Sequence, residues 1–164
     1  MDKILAKLIS VYEETETLAN IVKDLSTNCI DIYTDGSTVF DGKNRKSAIG
    51  VFFGDDDPRN VSKVIDENSV YNNNECEIIA CIEALTIVQT THRCVNIYSD
   101  SRIVVEAMNK ECRQLKFKEL FEQLETLAST FILVTWSFVK GHEDTYGNVM
   151  ADKLARQLLW RPTL

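Results

Sequence analysis

Two prolines and six glycines are all that punctuate 164 residues, and no repeat or biased tract interrupts them. That composition excludes fibrous and low-complexity chains and does not read as disordered. No apolar run approaches the roughly 20 residues that cross a bilayer, and Met1-Asp2-Lys3-Ile4 lacks the apolar stretch of a secretory signal. The expectation is a soluble, intracellular protein of the cytoplasm or nucleus, with no membrane partner. The five cysteines, Cys29, Cys76, Cys81, Cys94 and Cys112, form no CxxC pair and have no histidine at ligand spacing, so neither a zinc site nor a disulfide framework is expected. Most are expected to be small core residues in a reducing compartment. Positive charge is scarce: 18 lysines and arginines face 25 acids, for a net charge of −7. That excludes a nucleic-acid binder that relies on its overall field. It leaves room for an enzyme whose carboxylates gather cations, because such a site attracts phosphate locally.

With 45% apolar residues, the length predicts one domain with a real core and a helical appendage. In residues 1–28, Ile4, Leu8, Val11, Leu18, Val22 and Leu25 recur at helical spacings, which predicts an amphipathic helix broken or exposed around Glu13-Glu14-Thr15-Glu16. The segment carries five acids against three lysines, with Tyr12 its one aromatic, which suits a protein contact or self-association better than nucleic acid. Packing on the domain's own surface is the alternative. From Ile30 the pattern predicts strands over 30–34, 48–54 and 61–65 and a helix over 75–89. It continues with a strand over 94–99, helices over 101–109 and 117–128, a strand over 131–139 and a helix over 149–159. Three antiparallel strands, followed by strands joined through helices, make an α/β domain with a mixed sheet.

Two of these strands end alike, Ile32-Tyr33-Thr34-Asp35 and Ile97-Tyr98-Ser99-Asp100. As parallel neighbours roughly 4.8 Å apart, they would present both aspartates on one face of the sheet at one edge. Two anions that close need a proton or a cation between them. Glu77 joins them by periodicity: at 100° per residue, Cys81, Ala84, Leu85 and Val88 all fall within about 80° of it, so a carboxylate sits in the middle of an apolar arc. A buried carboxylate must be neutralised by proton, partner or metal. Asp152 lies in the first turns of the last helix, and His142 in the Lys140-Gly141-His142-Glu143-Asp144 loop. Singly, each has an ordinary structural role open to it: turn residue, helix cap or buried ion pair. Jointly they point to a divalent-metal site for phosphodiester chemistry.

The residues Tyr33-Thr34-Asp35-Gly36-Ser37, Asn73-Asn74-Glu75-Cys76-Glu77, Ser99-Asp100-Ser101, Trp136 to His142, and Asn148 with Ala151-Asp152-Lys153-Leu154-Ala155 occur in that order, with His142 ten residues before Asp152. Over about 30–159 the sequence resembles the type 1 ribonuclease H family, enzymes that cut the RNA strand of RNA–DNA hybrids. The resemblance implies a five-stranded mixed sheet flanked by helices, with residues 1–28 an extension and 29–164 the catalytic domain. It implies Asp35, Glu77, Asp100 and Asp152 as carboxylates holding two Mg²⁺ ions, for which Mn²⁺ may substitute, and His142 as a mobile histidine near the scissile phosphate. Hydrolysis would leave 5′-phosphate and 3′-hydroxyl ends. Asn73, Asn74, Asn44 and Asn148 are implied on the substrate side, and phosphate contacts are expected to fall to scattered basic groups such as Lys43, Arg45, Lys46, Arg102 and Lys140. Arg102 stands where many relatives carry a polar amide, and the loop from Thr38 to Lys46 departs from the usual glycine-rich hairpin. Two other readings remain open at this point: a DNA-cutting nuclease of the same fold, and a catalytically silent hybrid-binding module.

Overall fold

The structure is a computed structural model that describes residues 12–20, 23, 29–40, 45–66, 71–111, 116–140 and 145–159. Its strands are β1 (Cys29–Phe40), β2 (Arg45–Phe52), β3 (Val61–Asp66), β4 (Cys94–Ser99) and β5 (Leu133–Phe138). Its helices are α1 (12–20), α2 (Asn73–Val88), α3 (Arg102–Met108), α4 (Lys118–Ala128) and α5 (Tyr146–Arg156). The strands form one sheet in the order β3-β2-β1-β4-β5. β1, β2 and β3 pair antiparallel, whereas β1 with β4 and β4 with β5 pair parallel. The expected mixed α/β sheet is therefore present, and each parallel step is bridged by helix, as such crossovers require.

One sheet face carries the main core. Ile32, Val51, Val95, Ile97 and Trp136 meet Ile78, Cys81, Leu85 and Val88 of α2, Val104 of α3, and Phe121 and Leu124 of α4. The opposite face is covered over β1 and β2 by α5. Gly50 permits that approach: a Cβ there would lie 2.1 Å from the Ala151 carbonyl oxygen and 2.6 Å from the Ala155 nitrogen. Both obstacles are backbone, so the helix itself would have to shift. Gly50→Ala is expected to cost about 2 kcal/mol, the usual scale of overpacking. Urea unfolding of the variant against wild type checks it.

The structure moves several boundaries. α2 starts at Asn73, two residues before the expected start, because Asn72 and Glu75 form a capping box: the Glu75 N–H donates to Asn72 Oδ1 at 3.2 Å and the Asn72 N–H donates to Glu75 Oε2 at 2.8 Å. Asn73 and Asn74 thus belong to the helix's first turn. β1 does not stop at Asp35; it runs on to Phe40, paired with β2 down to Arg45. The cysteines also depart from expectation. Cys29 and Cys94 face each other in register on β1 and β4, with Cα atoms 4.5 Å apart, and form a disulfide. A separation of 65 residues carries no signal in the sequence; strand pairing alone brings the two together. Cys76 and Cys81 are buried and free, as expected of core residues.

Every described residue of α1 is exposed, including Tyr12 at 68% and Leu18 at 60%. The helix is continuous through Glu13 to Glu16, so the acidic run is exposed without breaking it. Ile4, Leu8, Val11, Val22 and Leu25 lie outside the described residues. Among the described residues no helix is long and apolar enough to cross a membrane.

Candidate active site

Parallel pairing between β1 and β4 ends at Thr34 opposite Ser99. One residue further on, β1 continues with β2 while β4 turns into α3, so the sheet splits between Asp35 and Asp100. Open α/β sheets form ligand crevices where carboxyl ends of strands part in this way. The pleat puts both aspartates on the same side as Tyr33 and Tyr98, two positions back, whose rings stack with centroids 4.8 Å apart. Gly36 brings in the third acid. A Cβ on Gly36 would lie 2.5 Å from the Glu77 nitrogen and 2.6 Å from the Cys76 carbonyl carbon, so only glycine lets the start of α2 lie against β1.

Asp35, Glu77 and Asp100 each offer a carboxylate oxygen, and these atoms all lie within 4.8 Å of one another. Asp35 is 6% exposed and Glu77 4%, so water screens neither. Burial, then the charges of Asp35 and Asp100, push Glu77 well above the usual carboxylate range. Burial, then Asp100 and Asp152, push Asp35 up to about 7, while Arg156 and the Gly36 amide pull it down. Among the described residues Glu77 Oε2 has no hydrogen-bond partner. Crowded, desolvated carboxylates with an unpaired buried oxygen are poor structural neighbours and good ligands for a cation. Oxygen donors alone favour a hard divalent ion over zinc.

Asp152 lies in the second turn of α5, on the wall of the same cavity of about 430 Å³. Its carboxylate stands outside the three-acid cluster, with Oδ1 in an ion pair with Arg156 Nε at 2.6 Å, one turn on in the same helix. The helix begins three residues before the sequence pattern predicted, so Asp152 sits in its interior. Ser37, Asn73, Asn74, Arg102 and Phe138 complete much of the wall. The Arg102 guanidinium lies 4.5 Å above the Phe138 ring, held at the mouth by a cation–π contact. Two residues from the sequence reading lie off this wall. Lys140 is exposed beyond β5. Asn148 is 2% exposed, its Oδ1 without a hydrogen-bond partner among the described residues. His142 and Asn44 fall outside the described residues. Sequence reasoning passed over Arg156 and the role of Phe138; the four-residue spacing from Asp152 to Arg156 is a helical ion-pair signal that could have found the first.

A mixed sheet of this strand order, with acids gathered where its central parallel strands part, defines a ribonuclease H-like α/β domain. The RNase H family model matches residues 27–159, and the chain belongs to that family. It is 31% identical over 172 residues to a ribonuclease H of Schizosaccharomyces pombe, a match that takes in 94% of this chain and 63% of the yeast protein's length. In fold it matches RNase H1 of the halophilic archaeon Halobacterium salinarum with a TM-score of 0.63, at 20% identity over 80% of this chain and 97% of that one. It also matches a foamy viral protease-reverse transcriptase solved in complex with RNA/DNA hybrid, with a TM-score of 0.66, at 19% identity over 81% of this chain and 20% of the viral one.

Proposed function

We propose that the protein is an endoribonuclease that hydrolyses the RNA strand of RNA–DNA hybrids, using two Mg²⁺ ions and leaving 5′-phosphate and 3′-hydroxyl ends. The observation that carries this reading is the convergence of Asp35, Glu77 and Asp100 on one point, with Glu77 Oε2 buried and unpaired, at the base of an open cavity. Asp35, Glu77, Asp100 and Asp152 are the residues that would hold the cations. When bound, the metal supplies a nucleophilic hydroxide at neutral pH and stabilises charge on the leaving oxygen.

The rest of the wall suits a substrate of mixed strands. Asn73 and Asn74, at the start of α2 and on the cavity wall, carry amides that both donate and accept, as recognition of 2′-hydroxyls requires. Arg102 offers a fixed cation to a backbone phosphate, since its stacking on Phe138 limits the freedom lost on contact. His142 is assigned to proton movement or product release, Asn44 to a second hydroxyl contact and Lys140 to a more distant phosphate. Residues 29–164 form the catalytic unit in this proposal. Residues 1–28 form an extension whose exposed α1, with Tyr12 and Leu18 facing water, serves a protein contact or self-association. Hybrids arise where nucleic acids are copied, so the site of action is intracellular.

Labelled RNA–DNA, RNA–RNA and DNA–DNA duplexes, incubated with the full chain with and without Mg²⁺, test the reading. Cutting restricted to the RNA of the hybrid and dependent on the ion is the expected result. Cutting of the DNA duplex would favour the DNA-cutting alternative, and tight hybrid binding without cutting would favour the silent module.

A further inference from the structure

Strand pairing makes one covalent tie that the cavity does not use. Cys29 and Cys94 are the first residues of β1 and β4, lie opposite each other in register with Cα atoms 4.5 Å apart, and are joined as a disulfide. The two residues do not meet solvent alike: Cys29 is half-buried, whereas Cys94 is 1% exposed. An attacking thiolate therefore has access from the Cys29 side. We propose that the pair is a redox-operated clamp, opened and closed in the folded protein by thiol–disulfide exchange at the Cys29 sulfur, with dithiols as reductants and glutathione-type disulfides as oxidants.

The exchange balances in both directions. A thiolate of the dithiol attacks Cys29 Sγ, the bond to Cys94 Sγ breaks, and Cys94 leaves as a thiolate that takes up a proton. The second thiolate of the reductant then attacks the reductant's own sulfur in the mixed disulfide and expels Cys29. The dithiol ends as a cyclic disulfide, and the pair has gained two electrons and two protons. In reverse, the Cys29 thiolate attacks glutathione disulfide, releases one glutathione, and carries the other until Cys94 displaces it. Cys76 and Cys81 stay outside this cycle because both are free and fully buried. Disulfides of intracellular proteins are usually transient, which reconciles this bond with the reducing compartment expected for the chain. That step rests on the intracellular setting of the functional reading and not on its hybrid chemistry. Cys29 is also where residues 1–28 join the domain, so closure pins the joint. The tie spans 65 residues of sequence and so restricts the unfolded chain strongly. Asp35 lies six residues further along β1, roughly 20 Å at the rise of a strand, so the clamp acts on stability and on the joint without touching the cavity acids.

Thiol counting by mass spectrometry on the full chain tests this in the Cys112→Ser background, which removes the fifth cysteine from the count. Dithiothreitol in native buffer, followed by acid quenching and alkylation in denaturant, should raise the count from two thiols to four, and glutathione disulfide should return it to two. Cys94→Ser, and Cys94→Ala as a second variant, should each capture one glutathione per chain on Cys29, at least tenfold faster than Cys29→Ser captures any on Cys94. The oxidised protein should melt about 5–15 °C above the reduced one, while the double variant Cys29→Ser with Cys94→Ala melts alike with and without reductant. The same scans show that each form starts folded. Thiols that appear only in denaturant would make the bond a fixed staple. Equal capture at Cys94 would remove Cys29 as the point of exchange, and coincident melting of the two forms would leave no clamp. Any of these three results overturns the proposal, and hybrid cleavage by the reduced protein tests the functional reading separately.

Discussion

Asp35→Asn is expected to lower hybrid cleavage on the order of a thousandfold while leaving the metal-free protein at least as stable as wild type. The two effects have one cause. Asp35 is buried beside Glu77 and Asp100, so in the absence of a cation its charge is a liability: burial disfavours it and the neighbouring carboxylates oppose it. An amide of the same shape removes that repulsion and keeps the packing. With a cation present the same change deletes an anionic ligand, and a metal that contributes several kcal/mol of charge stabilisation to the transition state is lost or misplaced. A purely structural Asp35 would behave the opposite way, losing stability and keeping activity in the surviving folded fraction. Single-turnover rates on a labelled hybrid, together with melting in EDTA, separate the two, and cleavage within tenfold of wild type would sink the assignment.

How much of this was legible in the sequence varies with the kind of signal. The strand endings at Asp35 and Asp100 were readable because the pleat has period two and parallel neighbours in register repeat it; the pairing of Tyr33 with Tyr98 and Thr34 with Ser99 is that register. Glu77 was readable because helical period placed it among Cys81, Ala84, Leu85 and Val88, all of which are fully buried. Contacts set by tertiary packing left no local trace. The continuation of β1 beyond Asp35 depends on pairing with β2, and Gly36 reads in one dimension as a turn residue when its use is close approach to α2. The Cys29–Cys94 bond depends on the register of strands 65 residues apart. Asn148 carried the resemblance as a polar residue near Asp152, yet the helix turns it inward and off the cavity wall.

The metal-free protein is expected to lose several kcal/mol of stability as pH rises from 4 to 7.5, and to regain it when Mg²⁺ or Mn²⁺ is added at the upper end. Asp35 in the fold sits at about 7 against an ordinary 3.8, and Glu77 is also raised well above its ordinary range. A carboxyl raised in the fold binds its proton more tightly there than in the unfolded chain. Between the two values the native state holds the proton and the unfolded state does not, so stability falls with pH across that window. The contribution is fully present below about pH 4 and gone above about pH 7. For Asp35 alone the displacement from 3.8 to about 7 corresponds to on the order of 4 kcal/mol, and Glu77 shares the same crowding and adds in the same direction. A cation that binds only the folded state reverses the loss by mass action, and it does so best at high pH, where the ligands are ionised and no proton competes. Urea unfolding in EDTA at several pH values, repeated with saturating metal, measures both halves. Asp35→Asn and Glu77→Gln should each flatten the metal-free slope, because a group that cannot ionise contributes nothing to it. A wild-type slope equal to that of the double variant would mean the carboxylates titrate normally in the fold and that their crowding exerts no strain for a metal to relieve.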